Sequence, residues 1–281
     1  MHATSLRQTV MTPLPSQSIS DREFQLFRQL LHSLAGISLS DAKKSLVAGR
    51  LARRLRQLGL GSYGEYFQRV QRDKGELQQT LDLLTTNETY FFREPRHFDF
   101  LRQHILPQQH GPAPFRVWSG ACSSGEEPYT LAMILAEHRG HRPWEIVASD
   151  LSSRVLEQAT QGLYRLDEAE GIPRNLLLKY CLRGIGQREG TFLISPELQK
   201  HIQFRQINLN TALPGIGQFD LIFLRNVMIY FDLATKRQVL QRILPLLRPG
   251  GHFIISHSEN LNGVTEALAQ VKPSIYRKPE A

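Results

Sequence analysis

Short apolar, β-rich runs alternate with helix-forming stretches from Phe115 onward, and this alternation restricts the fold more than any other feature of the chain. Strands are predicted over 115–118, 145–149, 201–207, 219–224 and 252–256, with a final one over 274–278. Helices are predicted over 128–138, 152–159 and 235–247. Pro128 suits a first helical turn, and Arg248 to Gly251 closes the last of these helices. Strands separated by helices in this rhythm make an open parallel sheet covered by helices on both faces. The rhythm breaks between 179 and 200. There, strand-like segments over 179–183 and 191–195 flank a glycine-bearing loop, Gly184 to Gly190. That pattern predicts an antiparallel hairpin inserted into the α/β fold, and insertions of this kind often carry partner recognition.

The region before the sheet reads differently. Residues 1–18 are polar and Pro-containing without periodicity, so a disordered tail is expected. Ser20 and Glu23 form a capping box, and Phe24, Phe27, Leu30, Leu31 and Leu34 follow at helical spacing up to Gly36. A second helix starts near Ser40 with Leu46, Val47, Leu51, Leu55 and Leu58 on one face. Two more are predicted over 63–72 and 76–85. Residues 19–84 therefore read as a small all-α domain. The mixed polar and aromatic stretch 85–97 joins it to a domain over 98–281, which opens with a helix over 97–104.

Composition narrows the function classes. With 41% hydrophobic and 21% charged residues in a chain of 281, wholesale disorder is excluded. Cys122 and Cys181 form no disulfide framework and have no partner at zinc spacing, so a reducing compartment, the cytoplasm, is expected and no metal. No apolar run approaches the ~18–20 residues of a membrane span, and the first residues lack the apolar core of a secretion signal. The net charge of +8 is unevenly placed. Lys43, Lys44, Arg50, Arg53, Arg54 and Arg56 fall in a window, 42–58, that holds no acid. Such a helix suits an anionic partner: nucleic acid, a membrane surface or an acidic protein.

Ligands of open α/β sheets sit beyond the carboxyl ends of the strands. The loop Ser119 to Glu127 lies there, as do Asp150, Asn208 and Leu209, and Arg225, Asn226 and Val227. A dinucleotide site wants Gly-x-Gly-x-x-Gly. Here Cys122 takes the second glycine's place, and Glu126 and Glu127 crowd the helix start, where they repel a pyrophosphate. They suit a cation such as the ammonium of an amino acid, while Asp150 suits a ribose diol. An adenosine that carries an amino acid and no phosphate is S-adenosylmethionine. Each residue also has a plainer reading. The glycines serve a turn, and the two glutamates complement a helix dipole. Asp150 relays to a helix cap, Asn208 and Asn226 are turn residues, and Arg93 is a surface arginine. Cys122 reads as a small loop residue rather than a nucleophile, since no nearby His lowers its pKa.

Five segments carry a resemblance: Thr86 to Glu94, Val117 to Tyr129, Ala148 to Asp150, Arg225 to Asp232 and Ser256 to Asn260. Together they resemble the CheR family, the chemotaxis receptor methyltransferases that methylate glutamate side chains of membrane chemoreceptors with S-adenosylmethionine. The likeness covers about residues 19–278, with Ser124 where Thr is more usual. It implies a class I methyltransferase, a Rossmann-like open sheet with an inserted antiparallel β-subdomain, preceded by the small all-α domain. It implies cofactor contacts at Asn87, Thr89, Arg93, Glu127, Asp150, Asn208, Leu209, Asn226 and Val227, and S-adenosylhomocysteine as product. Asn87, Thr89 and Arg93 come from the likeness alone, and through them the linker joins the cofactor site.

The implied reaction is an in-line attack of a glutamate carboxylate on the sulfonium methyl. The nucleophile is already ionised at neutral pH, so no general base is required. Rate comes from positioning and from stripping water off the carboxylate. Arg93 and Tyr230 are the candidates to orient that carboxylate, with a packing role the equal alternative for Tyr230. The basic helix would hold the acidic receptor bundle. The β-subdomain would take up a receptor's C-terminal tail peptide as an added strand. A monomer without nucleic-acid partners is expected. A base-methylating enzyme of the amino type would carry Asn/Asp-Pro-Pro-aromatic where this chain reads Arg225-Asn-Val-Met. A receptor-binding adaptor without chemistry would have no need of the intact cofactor set.

Overall fold

The computed structural model of the chain describes residues 18–280. The tail expected over 1–18, and the reading of the first residues as no secretion signal, lie almost entirely outside the described residues. The chain divides into two compact units. One holds the described residues up to Gln29 together with Ser40–Leu84, and the other holds Leu30–Leu39 and everything from Thr85.

The first unit is helical. Helix α1 (Asp21–Ala35) opens on the predicted capping box: the backbone N–H of Ser20 donates to Glu23 Oε2 at 2.9 Å, and the N–H of Glu23 to Ser20 Oγ at 3.3 Å. A 3-10 turn at Asp41–Lys43 leads into α2 (Lys44–Leu58), followed by α3 (Tyr63–Arg72) and α4 (Lys74–Leu84). Phe24, Phe27, Val47, Leu51, Leu55, Tyr66, Val70 and Leu81 are buried. Leu46 is exposed, contrary to its expected place on the apolar face. The buried stripe of α2 is Val47, Leu51 and Leu55, spaced by four, and Leu46 flanks it.

The second unit is the α/β body. Helix α5 (Pro95–Phe100) runs on through a π turn at Leu101–Ile105. Then come β1 (Phe115–Gly120), α6 (Glu126–Arg139), β2 (Trp144–Asp150), α7 (Ser153–Gln161), β3 (Leu163–Arg165), α8 (Arg174–Tyr180), β4 (Cys181–Arg183), β5 (Thr191–Ile194), α9 (Pro196–Gln199), β6 (Ile202–Gln206), β7 (Phe219–Leu224), α10 (Leu233–Ile243), β8 (Leu247–Ile254), β9 (Ala269–Lys272) and β10 (Ile275–Arg277). The main sheet has the order β6-β2-β1-β7-β8-β10-β9. Its first five strands are parallel, and β10 is antiparallel to both neighbours. Strand side chains alternate between two cores, as a pleated sheet requires. Val117, Ile146, Leu221 and Ile254 enter one core with Leu131 and Met133 of α6. Trp118, Val147, Ile222 and Phe253 enter the other with Val239 and Ile243 of α10.

Further features depart from the sequence reading. The helix predicted over 235–247 ends at Ile243, and its predicted stop, Arg248 to Gly251, lies inside β8, which begins at Leu247 because that residue already pairs with Phe219. Strand β9 was not anticipated, because all four of its residues are exposed and show no apolar alternation. The inserted sheet has three strands in the order β3-β5-β4, not two. Its third member, β3, is three residues long and follows α7 directly, too short to register as a period. Finally, the Leu30–Leu39 segment clusters with the α/β body. Asn208 Nδ2 donates to the Leu34 carbonyl at 2.7 Å, the Ser38 N–H donates to the Tyr230 carbonyl at 2.8 Å, and His32 pairs with Asp232 at 2.9 Å. Such anchors are long-range and leave no local sequence pattern. No helix among the described residues is long and apolar enough to cross a membrane.

Candidate active site

The loop after β1 is held in an uncommon backbone shape. Ala121 and Ser123 have φ of 57° and 50°, and Gly125 has 101°. Left-handed non-glycine residues cost about 1–3 kcal/mol and persist where their surroundings fix them. The surroundings here are explicit. The Cys122 N–H donates to the Ser149 carbonyl at 2.9 Å, and the Ser123 N–H donates to Asp150 Oδ2 at 2.9 Å. Ser123 Oγ donates to the Asn87 carbonyl at 2.8 Å, which ties the 85–97 stretch to the loop. Asp150 Oδ1 accepts from the Ser152 N–H at 2.9 Å, and Ser152 in turn caps α7. Asp150 is thus both the acid at the end of the second strand and a relay to a helix cap. Its carboxylate is buried and fixed in direction.

A buried charge bridge lies beside the loop. Glu127 Oε1 accepts from Ser119 Oγ at 2.7 Å, and its Oε2 takes Arg225 at 3.0 Å. Arg225 also reaches Glu94 Oε2 at 3.3 Å and donates to the Arg93 carbonyl. Burial pushes the Glu127 carboxyl above the usual carboxylate range, with Arg225 and Ser119 opposing the rise. Glu94 Oε1 receives Asn226 Nδ2 at 3.5 Å. Asn226 itself has φ 56°, and its N–H donates to Glu259 Oε2 at 3.2 Å. Glu259 takes two more backbone donors, Ile229 and Ser256, and so joins the loops after β7 and β8.

Two hydrogen-bonded groups therefore gather Asn87 with Asp150, and Glu127 with Asn226. The remaining expected site residues are placed as follows. Arg93 Nη1 donates to the Glu88 carbonyl at 2.5 Å, and its guanidinium lies 5.6 Å from the Tyr90 ring. Thr89 is half-buried between them in sequence. The Asn208 side chain is taken up by Leu34 and by the Asn210 N–H at 2.9 Å. Leu209 is buried, and Val227 and Tyr230 pack against the same core as Leu209. Sequence reasoning assigned no role to Glu94, Arg225 or Glu259. One signal was available for Arg225: a charged residue directly after the wholly apolar end of β7 needs counter-charges, and only acids from distant segments supply them. The Cys122 thiol is buried and pushed well up by that burial, as suits a packed loop residue.

Glu126 behaves differently from Glu127. Its oxygens accept from Ser124 Oγ at 2.8 and 2.9 Å, and burial pushes its carboxyl up to about 6. A carboxyl raised in the fold favours the native state when protonated. Its contribution is full below the ordinary value near 4.5 and lost as pH climbs through about 6. Glu126→Gln should therefore be more stable than the parent by up to about 2 kcal/mol at pH 7–8, with the difference vanishing near pH 4. Denaturant titration at several pH values measures this; a constant difference across pH would contradict it.

Glu94, His97 and His257 bring three ligand-type atoms within 4.8 Å of one another. The two rings lie 4.4 Å apart, tilted by 42°, and both reach Ser274 Oγ, at 2.7 and 3.2 Å. Burial holds His97 down at about 3, so its ring is neutral at physiological pH. Two tilted rings that both meet Ser274 Oγ, one of them next to the Arg225 guanidinium, are poorly arranged to converge on one cation.

In the first unit, the six basic residues do not share one environment. Lys43, Arg53 and Arg56 are exposed, and Lys44 pairs with Asp21 at 2.6 Å. Arg50 donates to the Leu84 carbonyl at 2.9 Å. Arg54 makes two bonds to the buried Glu76, at 2.8 and 2.6 Å, and these hold the Glu76 carboxyl below the usual range.

A sheet in the order β6-β2-β1-β7-β8-β10-β9, with antiparallel β10 set between β8 and the edge strand β9, a strained loop after β1 and a fixed acid after β2, has the architecture of the class I methyltransferases, which draw the methyl group from S-adenosylmethionine. Comparison with known proteins carries this further. Residues 87–277 match the family described as CheR methyltransferase, SAM binding domain, and residues 22–85 match the CheR methyltransferase all-alpha domain. The chain is 45% identical over 257 residues to chemotaxis protein methyltransferase 2 of Pseudomonas aeruginosa, covering 90% of this chain and 92% of that protein. It is 42% identical to the chemotaxis protein methyltransferase of Escherichia coli and 40% identical to that of Salmonella typhimurium, in each case over 92% of this chain and 91% of the relative. The chain belongs to the CheR methyltransferase family. It is a chemotaxis methyltransferase that uses S-adenosylmethionine.

Proposed function

We propose that the chain esterifies glutamate side chains of chemoreceptor cytoplasmic domains, acting in the cytoplasm as a monomer. The observation that carries the reading is the pair of networks at the sheet edge, Asn87–Ser123–Asp150 and Ser119–Glu127–Arg225–Glu94–Asn226. In it, Asp150 takes the ribose hydroxyls and Glu127 the cofactor's ammonium, while Asn208 and Leu209, Asn226 and Val227 bound the nucleoside. Asn87 and Thr89 close the site from the linker. Arg93 has guanidinium donors left beyond Glu88 and turns them to a carboxylate. With Tyr230 it orients the receptor glutamate for in-line attack on the methyl. The glutamate oxygen gains the methyl as the sulfonium loses it, leaving S-adenosylhomocysteine, and no proton moves.

Two surfaces would hold the receptor. Lys43, Lys44, Arg50, Arg53, Arg54 and Arg56 give the α2 side its positive field, with Lys43, Arg53 and Arg56 the exposed members that meet acidic helices. Arg53→Glu with Arg56→Glu should raise the KM for receptor fragment several-fold, most at low salt, and leave the KM for cofactor unchanged. Strand β4 is an edge of the small sheet, and Leu178, Leu182 and Ile185 around it are exposed at 76%, 53% and 83%. An edge with apolar neighbours suits an added peptide strand. Titration of receptor tail peptides should release heat, and Arg183→Pro, which removes an N–H that faces the open edge, should abolish it.

The deciding experiment is transfer of labelled methyl from S-adenosylmethionine to a panel of receptor cytoplasmic fragments, with and without their C-terminal tails, and with RNA as a control. Base-labile label on receptor glutamates is the expected result. Label on RNA alone, or none anywhere, refutes the reading.

A further inference from the structure

We propose that Arg225 is a positioning residue, which aims the Glu127 carboxylate at the cofactor's ammonium and keeps it charged. The proposal rests on the reading of Glu127 given above. Arg225 is 2% exposed in its side chain, and it stands between two carboxylates that are themselves only 13% and 16% exposed, Glu127 and Glu94. Its Nη1 meets Glu127 Oε2 at 3.0 Å, its Nη2 lies 3.3 Å from Glu94 Oε2, and the same Nη2 donates to the Arg93 carbonyl. Its guanidinium carbon lies 5.5 and 5.8 Å from the rings of Phe98 and Phe223. A flat fork packed against two rings that stack on each other, and tied through Nη1 and Nη2 to Glu127, Glu94 and the Arg93 carbonyl, is held in one orientation, and that orientation fixes Glu127 Oε2 while Ser119 fixes Oε1.

The charge count explains why a cation is needed there. Glu94 and Glu127 converge from different segments, and one guanidinium serves both. Without it, two buried carboxylates face each other, and the cheaper state protonates one of them. A protonated Glu127 offers the ammonium of S-adenosylmethionine a weak acceptor in place of a counter-charge. The other titratable groups near Glu127 cannot substitute. Cys122 is a buried thiol held neutral, and His97 is held neutral next to Arg225. His257 lies beyond Glu94, 4.0 Å from its Oε2.

The test is the pH profile of the KM for S-adenosylmethionine, read between about pH 5.5 and 6.7, where the ligand's own amine, with a pKa of about 7.7–8.0, stays about nine-tenths or more charged. The parent enzyme should give a flat profile. Arg225→Met should raise that KM by about tenfold at the acid end and progressively less toward the alkaline end, as Glu127 ionises. Arg225→Lys keeps the cation but not the fork, so it should give a flat profile at a modestly raised KM. Glu127→Gln should raise the KM at every pH. A uniform rise in Arg225→Met overturns the proposal, because it reports only damaged packing. An unchanged KM overturns it as well. Should Arg225→Met fail to fold, Arg225→Lys decides alone, and parental KM in that variant overturns the aiming role. An unchanged KM in Glu127→Gln removes the Glu127 reading itself, and the inference with it.

Discussion

Replacing Asp150 by alanine is expected to weaken S-adenosylmethionine binding by about 10²- to 10³-fold, the loss of two hydrogen bonds to a charged acceptor at about 1.5–3 kcal/mol each, less what water restores. The effect has two sources. The carboxylate is the proposed partner of the ribose hydroxyls. It is also what holds the Ser123 and Ser152 N–H groups, both at 2.9 Å. Losing it frees Ser123 to leave its left-handed conformation, and with it the contact to the Asn87 carbonyl. Asp150→Asn separates the two sources. The amide keeps one acceptor oxygen but turns an N–H₂ toward one of the two backbone donors. Its cofactor affinity should fall less than in Asp150→Ala, while its melting temperature falls comparably. Calorimetric titration of cofactor together with thermal melting reads both. Should Asp150→Ala melt lower yet bind cofactor as the parent does, the acid is only a cap relay.

How much of this was legible in the sequence depends on the range of the interaction. The parallel strands were legible because a strand buried on both faces must be apolar throughout, and 219–224 is an unbroken apolar run apart from Asp220. The capping box of α1 was legible because Ser20 and Glu23 satisfy each other within one turn. Strand β9 was not, since an exposed edge strand has no burial to imprint on its residues. The acid at 150 was legible from its place at a strand end. The Glu94–Arg225–Glu127 bridge was not, although its residues stand in segments that the sequence had already marked. Pairing across 98 or more positions is set by the sheet order and has no spacing of its own. The same holds for the Leu30–Leu39 segment, whose place in the α/β body rests on Asn208, Tyr230 and Asp232, all far along the chain.

Gly125→Ala is expected to be strongly disruptive, costing about 2–5 kcal/mol as the sum of a left-handed conformation denied to alanine and an overpacked core. The added Cβ would lie 2.8 Å from the Tyr164 hydroxyl, 2.9 Å from Ala159 Cβ and 3.1 Å from Ala159 Cα. None of these can yield cheaply. Tyr164 is buried, with its hydroxyl donating to the Ser124 carbonyl at 2.7 Å, and Ala159 belongs to helix α7, whose Ala159 carbonyl takes Tyr129 at 2.7 Å. Relief then falls on the loop itself, so Ser123 moves off Asp150 and cofactor binding is lost with stability. Gly59→Ala is the control. Gly59 also has positive φ, at 66°, but nothing lies within 4 Å of its added Cβ, so only the conformational cost of about 1–2 kcal/mol applies. Denaturant melts should show the Gly125 variant losing at least twice as much as the Gly59 variant. Cofactor titration should show binding lost only in the former. Equal losses in the two variants would mean that the contact with Tyr164 and Ala159 does not shape the loop.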